Sequence, residues 1–168
     1  MKKLIAILSL VILLCACVIL QQKTPQPFKA TKVLVFKEAR TLQLLAHDTV
    51  KYECSISLGH NPVGAKQQQG DRKTPEGHYF LDYRNEKTLY YKAIHISYPN
   101  QTDRENARKA SVSPGGDVMI HGIKKGWGWI GRLHLILDWT LGCIAVTNHD
   151  MDVIWNATKN GAPIEIRK

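Results

Sequence analysis

Apolar residues in this chain come first as one block and afterwards at alternate positions. The block is LIAILSLVILL (4–14), set behind Lys2 and Lys3, and CACVIL (15–20) prolongs it. A positive start followed by an apolar core of this length is the pattern of an export signal. Counted from residue 4 to residue 20 the run is seventeen residues, near the lower limit for a helix that crosses a bilayer. QQKTPQPFKAT (21–31) is polar with two prolines and reads as a linker, leaving residues 32–168 as one domain.

Within that domain the period is two. KVLVFKEARTLQLLAHDTVKYECSISLG (32–59) alternates over Val33–Phe36 with Leu42–Leu45 and again over Val50–Leu58, which predicts short strands. GHNPVGAKQQQGDRKTPEG (59–77) carries four glycines and two prolines, and predicts a long loop of the functional kind. HYFLDYR (78–84), LYYKAIHISY (89–98), DVMIHG (117–122) and APIEIRK (162–168) resume the strand pattern, with one helical turn expected around Arg104–Ala110. The clearest helix is TNHDMDVIWNATKNG (147–161), where Thr147 and Asp150 match a capping pair and Gly161 suits the stop. The fold class is therefore mainly β, a sandwich or open barrel with one or two short helices.

Composition changes this picture little: 44% apolar and 22% charged residues are ordinary for a globular domain. Charge adds more. The net +9 becomes +7 once residues 1–17 are set aside, and a basic exported domain suits an anionic surface, lipid or wall polymer, or serves solubility alone. The export signal, and the lack of a basic helix or an RNA-stacking signature, argue against nucleic acid. Leu14-Cys15-Ala16-Cys17 resembles a bacterial lipobox, in which Cys17 is lipidated; an uncleaved anchor and an ordinary cleaved signal are the rivals. All three place the domain in the cell envelope, on the periplasmic or outer side, and the first two tether it to a membrane through its N-terminus.

Candidate chemistry centres on DWTLGCIAVTN (138–148). Cys54 sits in an alternating strand as a small core residue, and a Cys54–Cys143 disulfide is the competing use of both thiols. His121, His134, Cys143 and His149 lie within thirty residues but at no close-paired ligand spacing, so no metal and no cofactor is expected. A nucleophilic Cys143 needs a nearby histidine and aimed backbone N–H groups. His121 ends a strand and precedes Gly122, whose carbonyl can orient the imidazole; Gly142 lets the backbone before Cys143 approach a substrate.

MIHG (119–122) followed by TLGCIAV (140–146) resembles the His-Gly and Ser/Thr-x-Gly-Cys signature of the L,D-transpeptidase (YkuD-like) catalytic domain, in the branch of single-domain periplasmic enzymes that remodel peptidoglycan. GAKQQQGDRKTPEGHY (64–79) is similar to that family's G-x-K and GD-x-x-TPxG-x-Y segment. The resemblance implies a β-sandwich enzyme acting on peptidoglycan stem peptides through a thioester on Cys143. It forms or cleaves L,D crosslinks or links to a wall-anchored lipoprotein; hydrolysis of the same bonds and a non-catalytic wall-binding domain are the alternatives. His121 would be the base, Gly122 its orienting carbonyl, Gly142 and Cys143 the oxyanion N–H groups, and Thr140 the brace of the loop. It also implies acylation of Cys143 by carbapenems. Ala145 stands where many members carry an arginine, so Arg132, Lys124 or Lys125 is expected to meet a substrate carboxylate, and His134 to touch substrate. Trp127, Trp129 and Trp139 are expected either over the cleft or in the core. Gly70, Asp71, Thr74, Pro75 and Gly77 read as a locally bonded turn.

Overall fold

The structure is a computed structural model that describes residues 27–168; the signal or anchor and Cys17 lie outside the described residues. Eight strands form one sheet: β1 (Lys32–Phe36), β2 (Thr41–Ala46), β3 (Thr49–Ser55), β4 (Gly77–Asn85), β5 (Ala93–Ile96), β6 (Met119–His121), β7 (Ile144–Ala145) and β8 (Ala162–Arg167). Their order is β3-β2-β1-β8-β4-β5-β6-β7. The last strand thus lies between β1, to which it is parallel, and β4, to which it is antiparallel.

The sequence expected Val50–Leu58 as one strand, but β3 stops at Ser55 and residues 57–60 leave it for the opposite edge. Ser57 exchanges both backbone hydrogen bonds with Ala145 of β7, at 2.9 and 2.8 Å, and His60 and Leu58 bond Thr140. Those bonds draw the two edges of the sheet together, which gives the expected barrel-like closure and satisfies edge groups that would otherwise be open. Alternation explains the core. Leu42 and Leu44, Tyr79 and Leu81, and Ile164 and Ile166 point inward to meet Val33, Ile94, Ile120 and Ile144. Cys54 is buried there as a free thiol, and Cys143 is free as well, so the two form no disulfide.

Two α-helices cover the sheet. α1 (Gln101–Lys109) is longer than the single turn expected, because Asn100 and Asp103 form a reciprocal capping box. α2 (Asn148–Ala157) is the clearest helix of the sequence, and the Thr147 hydroxyl accepts from the Asp150 N–H as expected; Met151 and Ile154 are its core face. Gly161 does not end it: the helix stops at Ala157, Thr158 bonds back to the Ile154 carbonyl, and Gly161 (φ +83°) turns the chain into β8. The Gly/Trp-rich segment holds a 3-10 stretch, Gly128–Ile136, broken at Gly131 (φ +50°).

The 59–77 loop is tied down rather than draped. The ammonium of Lys37, 2% exposed, donates to the carbonyls of Gly64 and Thr74 and to Glu76 at 2.7–2.9 Å. Asp71 bonds locally, as its turn pattern predicts: it accepts from the N–H groups of Gln67, Gln68 and Lys73 and from Lys66 Nζ at 2.8 Å. Burial alone would raise its pKa, but the Lys66 and backbone hydrogen bonds outweigh that and hold it at about 2. A depressed carboxylate stabilises above its ordinary pKa, and the contribution disappears as pH falls through about 2. Asp71→Ala is expected to cost about 2 kcal/mol at pH 7 in a urea titration, because three backbone donors lose their acceptor.

Candidate active site

Cys143 and His121 are brought together by the pairing of two very short strands. β6 and β7 run parallel with Ile120 opposite Ile144 and His121 opposite Ala145. Ile120 and Ile144 are fully buried in the core. Their neighbours in each strand point to the other face, so His121 and Cys143 share a side, diagonally placed on adjacent strands. Both line one cavity of about 630 Å³ together with Tyr90, Asp117, Leu141 and Gly142.

His121 is held on every side. Its Nδ1 lies 2.8 Å from the Gly122 carbonyl; since a carbonyl can only accept, Nδ1 carries the proton and Nε2 is left as the basic atom. Tyr90 stacks on the imidazole at 3.9 Å between ring centroids, and Trp139 meets it edge-on at 5.6 Å. Burial pushes the His121 pKa down to about 4, partly opposed by the Gly122 carbonyl and reinforced by nearby His134. The ring is therefore a neutral base at neutral pH.

The loop that carries Cys143 is organised by Thr140. Its hydroxyl donates to the Cys143 carbonyl at 2.7 Å and accepts from the Gly142 N–H at 3.1 Å. Gly142, expected as an oxyanion donor, therefore has its N–H occupied by Thr140, because the tight turn folds that N–H back onto the hydroxyl. The N–H of Cys143 itself carries no hydrogen bond to a described residue. Gly142 has φ +134°, and a Cβ there would lie 2.7 Å from the Lys73 carbonyl, so both the turn and the packing exclude a side chain. The Cys143 thiol donates to the Asp117 carbonyl at 3.6 Å, with Asp117 itself at φ +53°. Burial raises the thiol pKa above its ordinary value, and an N–H from Met119 works in the opposite direction. At rest the pair is a thiol and a neutral imidazole.

Several expected residues lie elsewhere. Arg132, on the 3-10 segment, lines a separate pocket with Tyr52, Asn148 and Asp150, and Lys124 lines an apolar groove. His134 does not touch the cavity. It is buried behind Trp139, whose indole N–H donates to its Nδ1 at 3.3 Å, and it accepts the Ser57 hydroxyl on its carbonyl. Its role is to seat the ring that abuts His121. Trp127 and Trp129 are exposed and belong to no core, while Trp139 is half-buried. His149 belongs to the first turn of α2. Lys66, Arg72 and Tyr90 line the cavity and were not expected there. Lys66 and Arg72 sit in the GD-x-x-TPEG loop, so that motif already contained the signal; Tyr90 has no sequence signal. No group of three or more potential metal ligands occurs among the described residues.

A direct consequence is an unusual acid dependence. A buried neutral histidine favours the unfolded chain once protonated, so its contribution is complete above about pH 6.5 and is lost as pH falls towards 4. Urea titrations should lose about 3 kcal/mol across that window in the wild type and little of it in His121→Gln. Equal losses in both proteins would show that another group governs the acid limb.

The sequence model of the L,D-transpeptidase catalytic domain family matches residues 30–166. A protein named "Putative L,D-transpeptidase YafK" from Escherichia coli (strain K12) is 33% identical over 132 residues, covering 73% of this chain and 45% of that protein. Among solved structures, the helical cell shape determining protein Pgp2 from Campylobacter jejuni superposes with a TM-score of 0.66 at 24% identity, covering 84% of this chain and 48% of its own. An L,D-transpeptidase from Mycobacterium smegmatis gives 0.55 at 14% identity, covering 83% and 59%. The chain spans about half the length of the E. coli and C. jejuni proteins.

Proposed function

Since this chain belongs to the L,D-transpeptidase catalytic domain family, we propose that its cavity performs acyl transfer on peptidoglycan stem peptides through a thioester on Cys143. The observation that carries this reading is the β6–β7 register, which sets Cys143 beside a histidine fixed as a neutral base with Nε2 free. His121 takes the thiol proton as sulfur attacks the carbonyl between an L-centre and a D-centre. The charge that develops on the carbonyl oxygen is met by the Cys143 N–H, which has no hydrogen-bond partner among the described residues. The protonated imidazole then passes its proton to the leaving amine. An amine acceptor resolves the thioester into a new crosslink, and water resolves it by hydrolysis; the acyl-enzyme is common to both.

Ala145 is fully buried beneath the site and meets no substrate. The cation for a substrate carboxylate is instead Arg72, which lines the cavity and has no acid partner among the described residues, whereas Lys66 is engaged by Asp71. The domain acts in the cell envelope, tethered through its N-terminus, with stem peptides as acyl donors and a wall-anchored lipoprotein as a candidate partner. No helix among the described residues is long and apolar enough to cross a membrane.

The test is incubation with purified muropeptides and a wall-lipoprotein conjugate, followed by mass spectrometry beside a Cys143→Ala control. Products that lose or exchange the residue after the L,D bond are expected. Identical product sets from both proteins would remove the enzyme and leave a wall-binding domain. Arg72→Gln should raise KM about tenfold for a carboxylate-bearing donor while leaving kcat nearly unchanged.

A further inference from the structure

The segment between the two catalytic residues presents a face that the reaction does not use. Trp129 is 79% exposed and Ile136 74%, and Trp127, Leu133 and Leu137 are more than half exposed. Trp127 and Trp129 stack at 6.3 Å, so the two indoles form one platform. Ile123, Trp127, Ile130, Leu133 and Leu137 line a groove of about 420 Å³, with Trp139 at its inner wall. A soluble domain rarely leaves so many large apolar side chains in water on fifteen consecutive residues.

Charge decides what covers the face. From Gly122 to Leu137 the chain holds Lys124, Lys125 and Arg132 and no acid. The next residue, Asp138, is neutralised by a bidentate contact from Arg40. Tryptophans and aliphatics edged by cations are the composition of an element that lies in the headgroup layer of an anionic bilayer, aromatic rings at the interface and cations at the phosphates. In the sequence, the apolar block ends at Leu20, with six residues between it and the start of the described domain.

We propose that residues 123–137 form an interfacial membrane-binding element that seats this domain on an anionic phospholipid surface. The inference stands apart from the catalytic reading, since none of its residues lines the cavity that holds Cys143. Trp139 links the two places: it walls the groove and meets His121 edge-on, so the cavity mouth sits beside the membrane plane.

The test uses the full chain reconstituted into phosphatidylglycerol–phosphatidylethanolamine vesicles whose acyl chains carry bromine, a short-range quencher of indole emission. Two of the chain's four tryptophans lie on the face, so quenching of about half the emission is expected. Trp127→Phe with Trp129→Phe should abolish the quenching. Lys124→Gln with Lys125→Gln, or phosphatidylcholine vesicles, should sharply reduce it. Far-UV circular dichroism on each variant separates lost binding from lost folding. Emission indifferent to brominated lipid, or quenching unchanged in the double phenylalanine variant, would overturn the proposal. So would sedimentation showing the face covered by a second copy or by another protein in lipid-free solution.

Discussion

Cys143→Ala is expected to abolish thioester formation and lower product formation by at least about 10⁴-fold while the domain stays folded. The two halves of this expectation have separate causes. The thiol sits at the cavity, bonded to the Asp117 carbonyl at 3.6 Å, and the chain around it is fixed by backbone and Thr140 contacts that alanine retains. Removing one partly exposed sulfur therefore costs no more than about 1 kcal/mol. On the proposed mechanism the chemistry loses its nucleophile, and the other described thiol, Cys54, is buried in the core with its pKa raised well above the ordinary value by burial. Intact-mass spectra should show one carbapenem adduct on the wild type and none on the variant. An adduct on Cys143→Ala would relocate the reactive group.

Gly59→Ala is expected to be the most damaging single methyl in the fold, destabilising by more than about 3 kcal/mol and disabling the site at the same time. A Cβ at residue 59 would lie 2.1 Å from the Arg72 carbonyl and 3.1 Å from the Gly142 Cα. Both are backbone, so no rotamer change relieves the contact. Residue 59 lies where the chain leaving β3, the GD-x-x-TPEG loop and the cysteine loop pass within contact of one another; the Gly59 N–H also donates to the Thr74 hydroxyl. A urea titration paired with the rate of Cys143 alkylation by iodoacetamide would test this. Loss of stability with unchanged alkylation would mean that the loops can separate without disturbing the nucleophile.

The sheet was legible where its strands are long enough to alternate. Leu42–Leu45, Tyr79–Leu81 and Ile164–Ile166 mark one inward face each, and Thr147 with Asp150 marks the start of α2. β7 was not legible: two residues give no period, and it exists because Ile120 and Ser57 flank it in space. The same distinction governs the site. His121 and Cys143 carry their chemistry in their residue type and motif, whereas Tyr90, thirty-one positions before His121, joins the site only by stacking. Nearness in sequence to Cys143 does not put Arg132 at its cavity, whereas Arg72, seventy-one positions away, lines it.

The place of β8 between β1 and β4 also sets a schedule for folding. The β1–β2–β3 meander and the β4–β7 half that bears the catalytic pair join through residues 162–167 alone within the sheet ladder. A ribosome makes the chain from its N-terminus, so β1 and β4 each wait with an unpaired edge until residues 162–167 have been made. Long-range parallel pairing of this kind closes slowly, since the loop entropy must be overcome before any contact rewards it. Within the sheet order, joining of the two halves is therefore a late event, one that waits for β8 to pair with both β1 and β4.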